Sequence, residues 1–559
     1  MDKKIKFSAK ERKKVINNLK SKEFDLVIVG GGITGAGIAL DASSRGLSVA
    51  LVEKSDFASG TSSRSTKLVH GGLRYLEHLE LGIVKEVGRE REIVHNNASH
   101  IVLPEKMLLP IIKEGNLGEF TTSIALYVYD FLAGVKKEEH RRMLSREETI
   151  KKEPLIDSDL LKSGAVYYEY KTDDSRLTIE VMKKAVKFGA LALNYCEVES
   201  YVYDSEEDVK GVNVVNVIDG EQFEITGKYV VNATGVWVDK MRDKDNSLEG
   251  KRLHITKGVH IVVPKSKFNL NHALYFDVGD KRMVFAIPRF EVVYIGTTDT
   301  NYTGDYENPT VTKQDAQYLI DAMNRIAPTA NLKLTDIESA WSGLRPLIHE
   351  DGKDPSELSR KDEIFYSSSG LLSIAGGKLT GYRIMAKKVV DIIAKKINEN
   401  KPAKEIGECV TKNIKLSGGE FKFEYSLRNL VEYADKKYDE AKHGNISVED
   451  FKKLFYRYGT NVEHIIDNAF NFFNIIRDWK LAWLKAEVLY CVDNEMVTSL
   501  TDFFIRRTGM IHFYINDIDK IKNIVANELQ AILGLSDEQK NKQLEELDAE
   551  LKSAKSFLD

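Results

Sequence analysis

The feature that most constrains this 559-residue chain is a glycine cluster near its start. A short apolar run, 24–29, stops at Gly30-x-Gly32-x-x-Gly35, and a small, helix-compatible run follows over 35–45. That order reads as buried strand, tight turn and helix. A second strand is expected over 47–53, ending in Glu53, eighteen residues after Gly35. The spacing matches a dinucleotide site. Gly30 permits the turn, Gly32 lets backbone approach a pyrophosphate, and Gly35 lets the helix pack on the strand. Ile33 and Thr34 open the helix, whose free N–H groups and positive dipole end suit phosphates. Glu53 stands where an acid hydrogen-bonds the adenosine ribose. The chain is therefore expected to open with a doubly wound α/β unit.

Composition narrows the rest by exclusion. With 81 Lys+Arg against 85 Asp+Glu the net charge is −4, so no overall basic field exists to hold nucleic acid. Cys196, Cys409 and Cys491 lie far apart in the sequence, which suggests neither a disulfide framework nor a zinc knuckle. No HExxH or clustered Cys/His set supports a metal, and His349-Glu350-Asp351 reads as an exposed loop. There is no secretory h-region at the N-terminus, and the most apolar stretch, 124–135, is interrupted by Asp130. It is shorter than the roughly 20 residues a spanning helix needs, so membrane contact is expected to be peripheral.

Residues 1–23 carry nine basic and three acidic side chains, a local charge of +6. From about 165 to 300 short β-rich segments predict a second, mostly antiparallel sheet interleaved with returns to the first. Residues 364–377 and a helix over 384–399 read as a return to the nucleotide unit. Beyond 405, apolar residues at helical spacing predict a C-terminal helical domain. The expected boundaries are a nucleotide unit over 24–100, 165–240 and 340–400, interleaved with a substrate unit over 100–165 and 240–340, then 405–559.

Three further clusters bear on the ligand. Residues 57–77 bring Thr61, Ser62, Ser63, His70, Gly71 and Gly72 together just after the ribose acid. By composition alone this is a polar loop, yet its hydroxyls suit a pyrophosphate and ribityl chain and its glycines a flat ring. Ala233, Thr234 and Gly235 end a strand in small residues. Gly377, Lys378, Leu379 and Thr380 make another glycine turn into a helix, with Lys378 suited to the N1–O2 edge of a flavin.

The stretches GGGITGAGIALDASSRG, GTSSRSTKLVHGGLRYLE, MVFAIPR, YIGTTDT, GLRPLI, SRKDEI, GGKLTGYR and DFFIRRTG, spread over 30–509, resemble those of FAD-dependent glycerol-3-phosphate dehydrogenases. These are respiratory flavoenzymes of the D-amino-acid-oxidase-like superfamily. The resemblance implies a Rossmann-like FAD domain of the D-amino-acid-oxidase/glutathione-reductase type, an interleaved antiparallel-sheet substrate domain and a C-terminal helical domain. It further implies FAD as cofactor, oxidation of sn-glycerol 3-phosphate to dihydroxyacetone phosphate, and electrons delivered to a membrane quinone. Arg74, Tyr75, Thr297, Arg345 and Lys378 map onto the family's substrate pocket, and Val198 joins the cofactor side. Glycerol-3-phosphate oxidase, which passes electrons to O₂, is the nearest alternative. Such oxidases often carry an insertion after the RPLI region, and here the chain runs through without one. A flavoprotein acting as a tRNA-modifying or scaffold protein is the alternative from another class.

A phosphorylated alcohol asks for cations and a base. Arg74 and Arg345 suit the oxyanion as planar guanidiniums. His260, in KGVHIVV, is the expected base because an imidazole titrates near neutrality. His70 is the competing imidazole, better suited to a flavin-side contact, and Arg345 can instead stabilise an alkoxide directly. Arg457, Arg506 and Arg507 are expected to be structural salt-bridging or interface residues. The chain is expected in the cytoplasm, peripheral on the inner face of the cell membrane, as a homo-oligomer, a dimer. Residues 1–23 are the expected contact with an anionic membrane surface: Val15, Ile16 and Leu19 fall on one side of a helix starting near Ser8, beside Lys13, Lys14 and Lys20.

Overall fold

The structure, a computed structural model, describes residues 5–71, 81–113, 139–279, 282–349, 362–400 and 405–558, with 115, 118, 122–124 and 126–128 between them. Strand Glu23–Val29 lies at the centre of the first sheet, flanked in parallel by Val49–Val52 and Gln222–Asn232. Leu191–Leu193 and Leu372–Gly376 extend it in parallel, and Asp362–Tyr366 closes one edge antiparallel. The central strands are nearly continuous apolar runs because both faces are covered, as parallel sheets require. Helices Ile33–Ser44, Asp174–Phe188 and Tyr382–Glu399 pack together, and their apolar residues join those of the strands in one core. Asp173 caps the second of these by accepting from Arg176 N, and Gly189, at φ +111°, ends it in the left-handed region.

A second sheet stands beside the first. Its order is Thr300–Asn301, Leu253–Pro264, Val292–Gly296, Met283–Arg289, Ala273–Asp277, Leu103–Ile112, Leu161–Lys171 and Leu68–Val69, with Ser339–Ile348 paired to Leu253–Pro264. All these pairings are antiparallel except that between Ala273–Asp277 and Leu103–Ile112. Two assignments differ from expectation. Ser339–Ile348, read as the start of the return to the nucleotide unit, pairs along its whole length with Leu253–Pro264 and belongs to the second sheet. Residues 165–171 likewise continue the strand Leu161–Lys171 of that sheet. From Leu427 the chain is mainly helical, with Leu427–Ala441, Val448–Tyr458, Val462–Ile476, Trp479–Asn494, Ile515–Leu533 and Asp537–Ser553 around their own core.

The N-terminal segment corrects the sequence reading. Ser8 caps a turn that leads into helix Arg12–Ser21, but the stripe of Val15, Ile16 and Leu19 is buried in the core of the nucleotide sheet. Arg12 donates to Asn194 O at 3.0 Å and to Asn216 Oδ1 at 3.1 Å, Lys20 pairs with Glu221 at 2.8 Å, and Lys10 pairs with Asp493 at 2.8 Å. An apolar stripe is satisfied by whatever surface covers it, and here that surface is the chain's own sheet. It is not available to a bilayer. Among the described residues no helix is long and apolar enough to cross a membrane.

Candidate active site

A cleft of about 1390 Å³, its open mouth included, runs across the carboxyl ends of Glu23–Val29, Val49–Val52, Gln222–Asn232 and Leu372–Gly376. This is where open α/β sheets bind ligands. Gly30 adopts φ +111°, and a Cβ there would come within 2.6 Å of Ala233 O. A Cβ on Gly35 would overlap the carbonyl oxygen of Gly30, so the helix can approach the turn only without one. Gly32 faces the cleft, where a Cβ would meet Ser62 Oγ at 3.0 Å. Ser62 Oγ accepts from Ile33 N at 2.9 Å, which ties the 57–67 loop to the start of the helix. Glu53 accepts from Gly31 N at 2.7 Å and from Ser55 N at 3.0 Å. Burial pushes its carboxyl up, against the pull of those two N–H groups.

The cleft gathers Gly30, Gly32, Ile33, Thr34, Glu53, Thr61, Ser62, Val198, Ala233, Thr234, Gly235, Gly377, Lys378 and Leu379. Ser63 is a correction: it is buried behind the wall, its carbonyl accepting from Lys67 Nζ at 2.8 Å, because the loop turns there to seat the lysine. Thr380 and His70 are clipped together, the threonine hydroxyl accepting from His70 N at 3.1 Å and donating to His70 O at 3.0 Å. Gly71 N donates to Glu169 Oε2 at 3.1 Å. Gly72, Arg74 and Tyr75 lie outside the described residues.

The second sheet carries a polar group on strands that reach the cleft at Pro346, while Arg345, Thr297 and His260 are not themselves among the residues that line it. Arg345 donates to Thr297 Oγ1 at 2.7 Å, to Thr298 O at 2.8 Å and to Asp299 Oδ1 at 3.1 Å, and its neighbour Pro346 lines the cleft. Gly258 sits under this contact, where a Cβ would overlap the guanidinium. His260 stands opposite Gly296 on one flanking strand and Trp341 on the other. Gly296 makes room for the imidazole, which stacks on Trp341 at 4.8 Å between centroids. Its Nε2 lies 3.0 Å from Thr66 Oγ1, and its Nδ1 is buried without a partner. Burial, and then the charges of Arg345 and Lys67, hold its pKa well below the ordinary value. The ring is therefore neutral at physiological pH and able to accept a proton.

Sequence reasoning missed the supports of this group. Lys67 is buried, with Nζ 2.6 Å from Asp174 Oδ1, and Asp174 Oδ2 also accepts from Ser65 N and Oγ. The signal was Asp173-Asp174 at the head of a helix, an acidic N-cap whose second carboxylate needs a buried partner. Beneath the loop, Arg506 and Arg507 from the π-helical turn Asp502–Arg507 converge on Asp56, the latter at 2.7 and 2.9 Å. Arg507 also donates to Glu495 O, and Glu495 pairs with Arg176 at 2.5 Å and Lys183 at 3.1 Å. Arg457 pairs with Glu487. These are structural salt bridges, as expected of the three arginines. They fasten the helical domain beneath the loop that follows the ribose acid.

Sheet, cleft and glycine turn define an FAD-dependent oxidoreductase, and residues 25–383 match the family described as FAD dependent oxidoreductase. Residues 409–540 match the C-terminal domain of alpha-glycerophosphate oxidase. The aerobic glycerol-3-phosphate dehydrogenase of Staphylococcus epidermidis is 49% identical over 559 residues, covering 99% of this chain and 98% of that protein. That of Bacillus subtilis is 49% identical, covering 98% of each. The solved glycerol-3-phosphate dehydrogenase of Bacillus halodurans complexed with FAD superposes with a TM-score of 0.84 at 42% identity, covering 99% of both chains. The chain belongs to the family of aerobic glycerol-3-phosphate dehydrogenases. The cradle free of Cβ atoms at Gly30 and Gly32, the helix N-terminus and the Glu53 carboxylate fit the family's FAD.

Proposed function

We propose that this chain oxidises sn-glycerol 3-phosphate to dihydroxyacetone phosphate, bound FAD accepting the hydride from C2 and passing the electrons to a membrane quinone. The observation that carries the reading is the cluster of His260, Arg345 and Thr297 on the sheet that adjoins the dinucleotide cleft. Neutral His260 takes the proton of the C2 hydroxyl. Arg345, preset by Thr297, Thr298 and Asp299, holds the substrate's negative charge, and Lys378 supplies a second cation at the cleft wall. Arg74 and Tyr75 complete the pocket in this reading. Delivery to a quinone implies a peripheral position on the inner face of the membrane, and we take the working form to be a dimer. The contact with the bilayer is made by some surface other than the helix Arg12–Ser21, whose apolar stripe is covered.

Purified protein given glycerol 3-phosphate is expected to reduce a soluble quinone analogue faster than it forms hydrogen peroxide. Peroxide as the main product would assign it instead as an oxidase, a reading favoured by the match of residues 409–540. Gly32→Val, which puts a side chain into the cleft beside Ser62, is expected to purify folded but without yellow colour; full flavin content in that variant would remove the cofactor assignment.

A further inference from the structure

A second cavity, of about 600 Å³ with its open mouth included, shares Ser59 with the cleft and is lined by Arg64, Trp341, His512, Glu550 and Ser553. Only about 60 Å³ of it admits the centre of a water, which takes roughly 10–15 Å³ on that scale, so the space holds one small ion and its contacts. Partly buried Arg64 makes no side-chain hydrogen bond or ion pair among the described residues. Burial works against its charge, and Glu550 offsets that without closing an ion pair. A guanidinium does not shed its proton, so the charge is left seeking an anion. Arg506 also reaches this cavity, but Asp56 and Asp502 already take its charge.

The second unmet group is His512, 7% exposed, with neither Nδ1 nor Nε2 hydrogen-bonded. Whichever nitrogen carries the proton is a donor without an acceptor, which a buried site leaves unfilled only at a cost. Burial, and then the Lys67 charge, keep this ring neutral, with Asp173 pulling the other way and Arg64 and Arg289 adding to the shift. Arg64 and Ser59 come from one loop, and His512 and Ser553 from two other segments of the chain. Such a set surrounds a tetrahedral oxyanion better than a planar carboxylate.

We propose that this cavity binds inorganic phosphate at a site separate from the substrate cleft. His512 packs on Trp341 at 4.9 Å, and Trp341 is the ring on which His260 stacks, so the bound ion rests against the support of the proposed base. The Glu550 carboxylate opposes the anion, and removing it strengthens binding.

Equilibrium dialysis of the holoenzyme with labelled phosphate tests this directly. The expected result is a saturable site that survives in Arg345→Ala, weakens at least tenfold in Arg64→Gln with flavin content unchanged, and tightens several-fold in Glu550→Gln. Binding lost in Arg345→Ala but kept in Arg64→Gln would place the phosphate in the substrate cleft alone and overturn the proposal. No saturable binding overturns it as well, and acetate competing as well as sulfate would refute the tetrahedral preference. Should Arg64→Gln fail to fold, Glu550→Gln decides: unchanged affinity there overturns the site.

Discussion

Two neighbouring regions treat buried charge in opposite ways. Beneath the loop that follows Glu53, Asp56, Arg506, Arg507, Glu495, Arg176 and Lys183 form a knot in which every charge has an opposite partner within hydrogen-bond reach. On the second sheet, His260 stands against Arg345 and Lys67, two cations that hold it neutral rather than charged. The knot joins the helical domain to the nucleotide unit. The second group leaves polar capacity facing its surroundings, with His260 Nδ1 unfilled. Complete compensation marks architecture here, and incomplete compensation marks chemistry.

The largest effect that could break this comparison comes from the knot. Asp56→Ala removes the carboxylate that two buried guanidiniums share, leaving Arg506 with Asp502 and Arg507 with Glu495, and losing one partner of a buried pair typically costs about 3–5 kcal/mol. Urea unfolding should show a loss of that size, and a change under about 1 kcal/mol would mean that the knot is not structural. Burial raises Asp56, but Arg507 and Arg506 outweigh it and hold the carboxyl below its ordinary value. Its contribution is therefore full above the unfolded carboxylate range of about 4 and fades as pH falls below it.

Arg345→Ala should do the reverse, leaving stability and flavin content nearly unchanged while kcat/KM drops tenfold or more. Losing a charge-assisted contact costs on the order of 1.5–3 kcal/mol. Unchanged flavin reduction in stopped flow would take Arg345 out of the site. The pH profile is a finer test. With its pKa lowered by burial and by Arg345 and Lys67, His260 should be active down to pH values below 6.5, the reduction rate falling only on further acidification. In His260→Asn the rate should be slow and that acid limb absent, and a profile identical to the unmodified protein would exclude the base role. The smallest effect is expected at the surface pair of Lys20 and Glu221, where Lys20→Ala should shift stability by less than about 1 kcal/mol in thermal unfolding.

What could be read from the sequence divides along similar lines. The glycine turn and Glu53 were legible because the whole device lies within one strand, turn, helix and strand of adjacent chain. The sheet membership of Ser339–Ile348 was not, since it depends on pairing with residues some eighty positions earlier, and apolar residues along the strand gave no alternation to betray its partner. Val15, Ile16 and Leu19 made a true amphipathic stripe, but hydrophobic spacing does not say what will cover it. Lys67 and Trp341 were invisible for a simpler reason: a lysine in a polar loop and a tryptophan in an apolar strand carry no pattern until the fold brings them together.

The docking of the N-terminal helix also sets an order of events. Its apolar stripe packs with the nucleotide sheet, while Ser8 Oγ donates to Val492 O and Lys10 pairs with Asp493. During synthesis the nucleotide unit can collapse early, since domains generally form as they emerge. The segment Ser8–Ser21 nevertheless cannot settle fully until residue 493 has left the ribosome. Residues made early in this stretch of chain are thus locked only by residues made much later.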